Sequence, residues 1–425
     1  MKIAYLIHRF PPAIGGAERW LELLAQYGVQ AGDEIDVWTT TANKLESFQK
    51  QHSNELSSGT MVQDGVTVRR FPLIRFPGRK YLLKAASLAL KTTRWGSVLA
   101  PYNPICPEMW RQAGSHSNRS NYDLVHAFAF PFGFIMAAAH RLSQQQKIPL
   151  IISPYLHLGN PQQPHNRIRR AYTSKSLAWW LRQADCVLVQ SSLEQAAVLE
   201  MGVAPKRIRR TAVGVPPLKE TGDAARFRKQ YGISSTAKLV GHLATLSEEK
   251  GTVDLLDAFR SVHMQIPDAI CVLAGPSTSQ FTSRFPPDSL PPWVKMVGVL
   301  SEEQKNDFYE AIDLFCLPSR NDSFGIVFLE AWQHAKPVIG YRAGGVADLI
   351  LHDSDGFLVE CGDLNQLAEK IVQLLTKKEL AAKFGKSGQA RVVREFTADQ
   401  RLTEIRTIQQ EILWHEKIQF GNQTN

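Results

Sequence analysis

Short runs of apolar residues alternate with longer segments of helical periodicity along most of the chain. Gly, Pro and polar residues separate the runs, which is typical of buried parallel strands. Because strands and helices alternate, the pattern predicts an α/β fold with two doubly wound parallel sheets. The first series comprises Ile3–Ile7, Glu34–Thr39, Val66–Phe71, Leu124–Ala127, Leu150–Ser153 and Cys186–Gln190. The second comprises Leu239–His242, Ile270–Ala274, Lys295–Val297, Leu314–Leu317 and Pro337–Gly340.

The two series of strands predict two domains. They are separated near Gly214, where glycine and two prolines follow the basic run Lys206–Arg210. We therefore expect a first domain at residues 1–214 and a second at residues 215–396, each large enough to bury its own core. A last helical pattern occupies residues 397–425.

Apolar patterning and cysteine content indicate a cytoplasmic location. The longest apolar stretch, Ala127–Ala139, is too short to cross a bilayer and contains Pro131 and Gly133, so we predict no transmembrane segment. Met1–Ile7 is too short for a signal sequence and is better interpreted as the first strand. The five cysteines form no Cys-x-x-Cys pair, which favours reduced thiols without disulfides.

Positive charge is concentrated in the first half of the chain. Residues 1–215 contain 26 Lys and Arg against 13 Asp and Glu, whereas the remainder contains 23 against 27. Between Gly65 and Asn121 there are ten basic residues, and Glu108 is the single acidic one. No nucleic-acid-binding motif accompanies this charge, so we expect no nucleic acid partner.

A basic amphipathic helix is predicted within this region, from the helical spacing of Lys80, Lys84, Lys91 and Arg94. Two interpretations remain open. The helix packs on its own domain with its lysines in water, or it faces an anionic membrane surface or an anionic acceptor.

Two carboxylates, Asp322 and Glu330, flank a predicted strand-to-helix turn. A buried strand ends at Pro318, a polar loop follows, and a helix starts at Ile326. The backbone amides of Phe324, Gly325 and Ile326, which follow Ser323, would open this helix and attract an anion such as a phosphate. Glu330 lies about one turn further along, where its two oxygens could accept from a vicinal diol such as ribose. This arrangement predicts a sugar-nucleotide site.

The spacing of Asp322 and Glu330, with Phe324-Gly325 between them, resembles the signature of retaining GT-B glycosyltransferases of family 4. The resemblance extends over nearly the whole chain and includes Ala343–Val346 and Gly356–Val359. It implies a GT-B fold, in which two Rossmann-like domains face a cleft. It also implies transfer of a sugar from a nucleotide-diphosphate sugar with retention of the anomeric configuration. The family usually has Glu where this chain has Asp322, which shortens the side chain by one methylene.

The resemblance also implies roles for residues elsewhere. Lys250 would neutralise the diphosphate, and His242, after Gly241, stands where the family has an arginine. His126 matches the family's Asp-x-x-His position, whose imidazole approaches the donor sugar, and His157 is a second candidate. The predicted catalytic residues are His126, Lys250, Asp322 and Glu330. The predicted donor-binding residues are Gly15, Gly16, Gly241, His242, Lys250, Asp322, Ser323, Phe324, Gly325, Ile326 and Glu330.

No metal or other cofactor is expected. Asp353-Ser354-Asp355 is similar to the Asp-x-Asp metal motif of other glycosyltransferases, but it lies in a predicted turn, where Asp residues commonly bend the chain. The resemblance assigns it no metal. The Gly-x-Gly-x-x-Gly dinucleotide motif is missing after the first strand, which argues against an oxidoreductase.

These observations together predict a hexosyltransferase-like enzyme. Its expected partners are a nucleotide-sugar donor and a lipid-linked, polysaccharide or other acceptor, as in cell-surface polysaccharide biosynthesis. We expect it in the cytoplasm, with a peripheral position on the inner face of the membrane as one interpretation of its charge. Two alternatives stay open: a sugar-nucleotide epimerase of similar architecture, or a non-catalytic nucleotide-sugar-binding protein, which His242 and Asp322 would favour.

Overall fold

The structure is a computed structural model that describes residues 1–48, 55–115, 121–128, 131–160 and 167–421. Its strands are β1 Lys2–Ile7, β2 Glu34–Thr40, β3 Gly59–Gln63, β4 Val66–Phe71, β5 Leu124–Phe128, β6 Leu150–Ser153, β7 Cys186–Val189, β8 Ile208–Arg210, β9 Lys238–Leu243, β10 Ala269–Ala274, β11 Val294–Gly298, β12 Leu314–Leu317, β13 Val338–Tyr341 and β14 Gly356–Val359.

Helices connect the strands. They are α1 Gly16–Gln30, α2 Arg79–Ala89, α3 Trp95–Val98, α4 Pro107–Ala113, α5 Gly133–Gln146, α6 Arg167–Tyr172, α7 Lys175–Gln183, α8 Ser192–Glu200, α9 Ala224–Gln230, α10 Thr252–Gln265, α11 Ser279–Arg284, α12 Glu302–Ala311, α13 Ile326–Gln333, α14 Val346–Leu349, α15 Leu364–Thr376, α16 Lys378–Glu395 and α17 Ala398–Gly421. Short 3-10 turns occupy Leu45–Phe48, Pro205–Arg207 and Pro287–Ser289.

The chain divides into two compact units, each built around one sheet. The first comprises Met1–Leu156, Arg167–Ala212 and Arg401–Asn425. The second comprises His157–Asn166 and Val213–Gln400. Two α/β units with parallel sheets were predicted from the alternating pattern, and this prediction is confirmed.

The sheet of the first unit has the strand order β3-β4-β2-β1-β5-β6-β7-β8. All its pairings are parallel except that of the edge strand β3 with β4. The strand β3 was not predicted, because Met61 and Val62 are the only large apolar residues among its five. Asp64 and Gly65, both with positive φ, turn the chain between the two strands. This Asp-Gly pair is a hairpin signal that could have revealed β3.

The sheet of the second unit is parallel throughout, in the order β11-β10-β9-β12-β13-β14. Its strands other than the edge strand β11 are almost wholly buried, as expected where helices cover a parallel sheet. Because β9 and β12 are direct neighbours, the loops that follow them emerge side by side at the carboxyl edge of the sheet.

The last helix, α17, is anchored in the first unit from Arg401 onward. Gln409 is buried and donates from Nε2 to the hydroxyl of Tyr5 at 3.2 Å and to Nδ1 of His126 at 3.1 Å. Near the helix start, Arg406 forms an ion pair with Asp33 at 2.8 Å. A buried amide therefore fixes this helix to β1 and β5, and an ion pair fixes it to the residue before β2.

No helix in the described ranges combines the length and the apolar character that crossing a bilayer requires. All five cysteines are free thiols, and four of them, Cys106, Cys186, Cys271 and Cys316, are buried.

We predict that Gln409→Leu destabilises the protein by about 1 to 3 kcal/mol, because Tyr5 and His126 would lose the donor that satisfies them in a buried environment. Urea denaturation measures the effect. Gln410→Leu, at the exposed neighbouring position, is the matched control and should change stability by less than about 0.5 kcal/mol. Equal stability of the two variants would show that the buried amide does not anchor α17.

Candidate functional site

An ion pair links the two loops that follow β9 and β12. Nζ of Lys250 lies 2.8 Å from Oδ2 of Asp322. The side chains are 25% and 15% exposed, so the pair is reached from solvent but largely enclosed. Burial alone would lower the pKa of Lys250, yet Asp322 raises it above its usual value. Burial would likewise raise the pKa of Asp322, but Lys250 lowers it. Both groups are therefore charged at neutral pH.

Polar side chains around the pair hold the loops in place. Asn321 is buried, donates to Oε1 of Glu249 at 3.0 Å and accepts from the amide of Gly159 at 3.0 Å. Nδ1 of His157 lies 3.9 Å from the same Glu249 oxygen. The two loops are thus fixed to each other and to the segment beginning at His157. That segment brings the second predicted histidine beside Lys250 and Asp322.

The helix α13 begins where the loop carrying Asp322 ends. Gly325 is its N-cap, with φ of 93°, a conformation that favours glycine. The amide of Phe324 donates to Oδ1 of Asp322 at 3.4 Å, and Ile326 is the first helical residue. Amides at a helix start lack acceptors within the helix, so this end can hold an anion. The predicted helix start is confirmed.

A glycine pair lets another loop pack directly on the backbone of this one. The amide of Gly345 donates to the carbonyl of Asp322 at 2.9 Å. A Cβ atom on Gly344 would overlap the carbonyl oxygen of Asp322, and one on Gly345 would overlap that of Ser323. The position of Ser323 therefore depends on two residues without side chains.

Glu330 lies one turn into α13 and is partly exposed, at 24% of its side chain. Its Oε2 accepts from the hydroxyl of Tyr309 at 2.9 Å, and its Oε1 lies 3.3 Å from Nζ of Lys305. Burial would lower the pKa of Lys305, but Glu330 and Glu302 raise it. The carboxylate is thus held in one orientation by an uncharged donor and a cation.

Gly241 and His242, both predicted to bind the donor, lie in the buried strand β9 of the second unit. His242 is fully buried, with Nδ1 at 3.0 Å from the carbonyl of Cys316 and Nε2 at 3.0 Å from the hydroxyl of Thr252. Burial lowers its pKa to about 4, so it is neutral. A Cβ on Gly241 would lie 2.7 Å from side chains of Phe308 and Ile312. Both residues serve packing within the second unit, because their strand is covered on both faces.

His126, the residue predicted to approach the donor sugar, is buried within the first unit. Its Nε2 lies 2.9 Å from Oγ of Ser153, and its Nδ1 accepts from Gln409. Burial places its pKa well below the usual value, so the ring is neutral. The imidazole connects two strands to α17 and has no nitrogen left for a ligand.

Gly15 and Gly16, both predicted to bind the donor, start α1 in the first unit. The buried carboxylate of Glu18 folds back over Gly15, where a Cβ would overlap it. Glu18 lies 2.6 Å from Nη2 of Arg9 and 3.4 Å from Nε2 of His8. Burial would raise the pKa of Glu18, but His8 and Arg9 lower it to about 2. Gly15 is therefore required to make room for a buried ion pair.

The Asp-x-Asp segment has a structural role at Asp355. This carboxylate is fully buried, accepts from the amide of Leu351 at 2.8 Å and lies 2.7 Å from Nη1 of Arg391. Across the described part of the chain, no group of three or more His, Cys, Asp or Glu side chains is arranged to hold a metal ion.

The structure therefore brings together Lys250, Asp322, Ser323, the start of α13 and Glu330 within the second unit. This group offers an ammonium, helix amides and a second carboxylate along one edge of a sheet. The sequence analysis missed Lys305 and Tyr309. Their spacing of four residues shows that they share a face of α12, but no sequence signal indicates that this face meets Glu330.

Comparisons with known families match both units. The profile described as "Glycosyl transferases group 1" matches residues 223–391. The profile described as "Glycosyl transferase 4-like domain" matches residues 15–214. Together they span most of both units.

The individual relatives share a low sequence identity with this chain. The chain is 28% identical to N-acetyl-alpha-D-glucosaminyl L-malate synthase of Bacillus anthracis over 195 residues, which cover 46% of this chain. The matched segment spans about half, 51%, of that relative's length. Identity to D-inositol 3-phosphate glycosyltransferase of Corynebacterium urealyticum is 25% over 422 residues, covering 93% of this chain and 91% of the relative.

A solved structure shares the fold. Anabaena HepE, crystallised in complex with UDP and glucose, superposes with a TM-score of 0.71 at 21% identity, covering 96% of this chain and 99% of HepE. Sequence identity at this level supports the fold alone. The predicted GT-B fold is confirmed.

We predict that Gly345→Ala destabilises the second unit by about 1 to 3 kcal/mol, since the new methyl group would displace the loop at Ser323. Gly362→Ala is the control: a Cβ there meets only Arg320, at 4.0 Å, although φ is 89°. That change should cost about 1 kcal/mol through backbone strain alone. Denaturation by guanidinium measures the stability of both variants. A smaller loss of stability for Gly345→Ala than for Gly362→Ala would contradict the close packing.

Proposed function

The chain belongs to the glycosyl transferases group 1 family, and we propose that it moves a sugar from a nucleotide-diphosphate sugar to an acceptor with retention of the anomeric configuration. In this proposal the second domain, residues 215–396, binds the donor. The first, residues 1–214, binds the acceptor, and the C-terminal part, residues 397–425, contains the helix α17 that returns to the first domain.

The observation that carries the proposal is the position of Lys250 and Glu330 relative to α13. Lys250 supplies a cation beside the N-terminus of α13, where the loop of Asp322 ends. Glu330 presents a carboxylate one turn along the same helix. A nucleoside diphosphate has the matching order of groups, a charged diphosphate followed by a ribose diol. Sites of this kind lie at the carboxyl ends of parallel strands.

Charge development on the leaving group determines what Lys250 contributes. As the bond from the sugar to the diphosphate breaks, negative charge accumulates on the nucleotide. An ammonium already in place stabilises that charge more than it stabilises the bound substrate, which lowers the barrier. The amides of Phe324, Gly325 and Ile326 add partial positive charge. Asp322 is proposed to meet the donor sugar once the diphosphate has taken its place at Lys250.

The ribose is proposed to bind Glu330. Each oxygen of the Glu330 carboxylate can accept a hydrogen bond from one hydroxyl of the diol. The negative charge of the carboxylate strengthens both hydrogen bonds. Lys305 also lies 3.1 Å from Glu302, so it keeps a partner when a ribose takes its position at Glu330. Tyr309 holds the carboxylate orientation from the opposite oxygen.

The proposed acceptor is lipid-linked, a polysaccharide or another saccharide, bound by the basic first domain. We place the reaction in the cytoplasm, with the first domain at the anionic inner face of the membrane. The proposed reaction requires no metal ion, since Lys250 and the helix amides supply the positive charge. Turnover unaffected by EDTA would support this part of the proposal.

A donor panel tests the activity. Purified protein incubated with UDP-, GDP-, ADP- and dTDP-sugars should slowly release nucleoside diphosphate from one of them, and Lys250→Ala should reduce that rate roughly 10- to 100-fold. Lys383→Ala, an exposed change on α16, is the control. Epimerised free donor, or tight donor binding without any release, would contradict the transferase. Equal rates for Lys250→Ala and wild type would remove Lys250 from the reaction.

Glu330→Gln is predicted to weaken donor binding by about 1.5 to 3 kcal/mol, because the amide loses one acceptor and the charge that strengthens its hydrogen bonds. Calorimetric titration with the donor that the panel identifies measures this loss of affinity. Glu369→Gln, an exposed carboxylate on α15, should bind the donor as the wild type does. Unchanged affinity in a folded Glu330→Gln protein would exclude Glu330 from the site.

A further inference from the structure

The helix α2 exposes an apolar face to solvent. Tyr81, Leu82 and Leu88 are 77%, 60% and 59% exposed. Successive helical residues lie about 100° apart, so these three fall within one stripe about 120° wide, together with the exposed Ala85 and Ala89. Isolated exposed leucines are ordinary, but a continuous apolar stripe on a soluble surface marks an interaction site.

The opposite face of α2 fixes the helix to the first unit. Arg79 and Leu83 are buried there, and Arg79 donates to the backbone carbonyls of Phe48, Pro101 and Asn103 at 3.1, 3.3 and 2.7 Å. The helix therefore cannot turn its exposed stripe inward without breaking these bonds. In the described part of the chain, the apolar stripe therefore stays exposed to solvent.

Cations flank the stripe on one side. Lys80 and Lys84 lie on the helix and Lys91 just after it, all exposed. Within the described residues none of the three has a carboxylate within ion-pair distance. Uncompensated lysines beside an apolar stripe match an anionic surface with an apolar interior, and they would oppose docking of a basic or neutral protein.

Aromatic residues continue this surface beyond the helix. The guanidinium of Arg94 lies over the rings of Trp95 and Trp179, 5.2 and 4.9 Å from their centres. Trp95 also contacts Trp110, with ring centres 6.0 Å apart. Trp95, Trp110 and Trp179 are only partly buried. Partly exposed tryptophans next to Arg suit the boundary between lipid headgroups and acyl chains.

We propose that the α2 surface, defined as Tyr81, Leu82, Leu88, Lys80, Lys84 and Lys91, docks on an anionic phospholipid bilayer by inserting its apolar stripe below the headgroups. Charge brings the protein to the surface, and the inserted side chains hold it there. This inference deepens the proposed use of a membrane-held acceptor and in that respect rests on the proposed function. It goes beyond charge attraction because it assigns the retention to named apolar residues.

Vesicle sedimentation of the full chain without donor tests the proposal, so its outcome is independent of turnover. Wild type should sediment with vesicles of phosphatidylcholine and phosphatidylglycerol, and part of the binding should persist at high salt, where surface charge is screened within a few ångströms. The doubly substituted Leu82→Gln, Leu88→Gln protein keeps its charge and should bind at least tenfold more weakly. Val393→Gln removes an exposed apolar residue, 66% exposed, from the second unit and should bind as wild type.

The lysines are tested separately. A Lys84→Glu, Lys91→Glu variant should lose binding at low salt while retaining its thermal stability, since both side chains are exposed. The proposal is overturned if wild type stays in the supernatant at low salt, which would leave the stripe to a protein partner. It is equally overturned if the Leu-to-Gln variant binds as tightly as wild type, since attraction would then be purely electrostatic.

Discussion

The ion pair between Lys250 and Asp322 is the interaction on which the site depends. It joins loops that follow two neighbouring parallel strands, and it sets a cation beside the N-terminus of α13. Both charges are partly withdrawn from water, where an unpaired charge would be costly. A bound diphosphate would supply the negative charge that Asp322 supplies in its absence. In the proposed function, the Asp322 carboxylate would then be released from Lys250 and could contact another part of the donor.

Backbone packing sustains this arrangement. The loop of Asp322 and Ser323 lies directly against Gly344 and Gly345, and Asn321 ties it to Glu249. The rigid support comes from neighbours that never contact a ligand in the proposed mechanism. Tyr309 and Lys305 play the same part for Glu330, from a different helix. A site of few charged groups is thus held by a larger set of packed residues.

The two units each bury a histidine but differ in how they place their cations. His126 in the first unit and His242 in the second lie in strands, where their hydrogen bonds connect elements of the fold. The first unit also places exposed lysines and an apolar stripe on the outside of α2. In the proposed reaction the second unit holds a small, highly charged donor, whereas the first meets an extended surface. These different ligands explain why the second unit encloses Lys250, whereas the first exposes Lys80, Lys84 and Lys91.

The sequence by itself determined the alternation of strands and helices, the two units and the loop at Asp322, because each follows from local periodicity and turn residues. It also predicted Glu330 from its place one turn after a helix start, and Lys250 through the family resemblance. It did not determine where His126 and His242 point. A histidine near the end of a strand can face a ligand or the interior of its unit, and only the packing of α17 on His126, and of Thr252 on His242, showed which of these holds in the structure. The sequence showed that α2 is basic and amphipathic, but which of its apolar sides is buried depended on the carbonyl groups that Arg79 meets. Those contacts join residues far apart in the chain, so only the tertiary structure could reveal them.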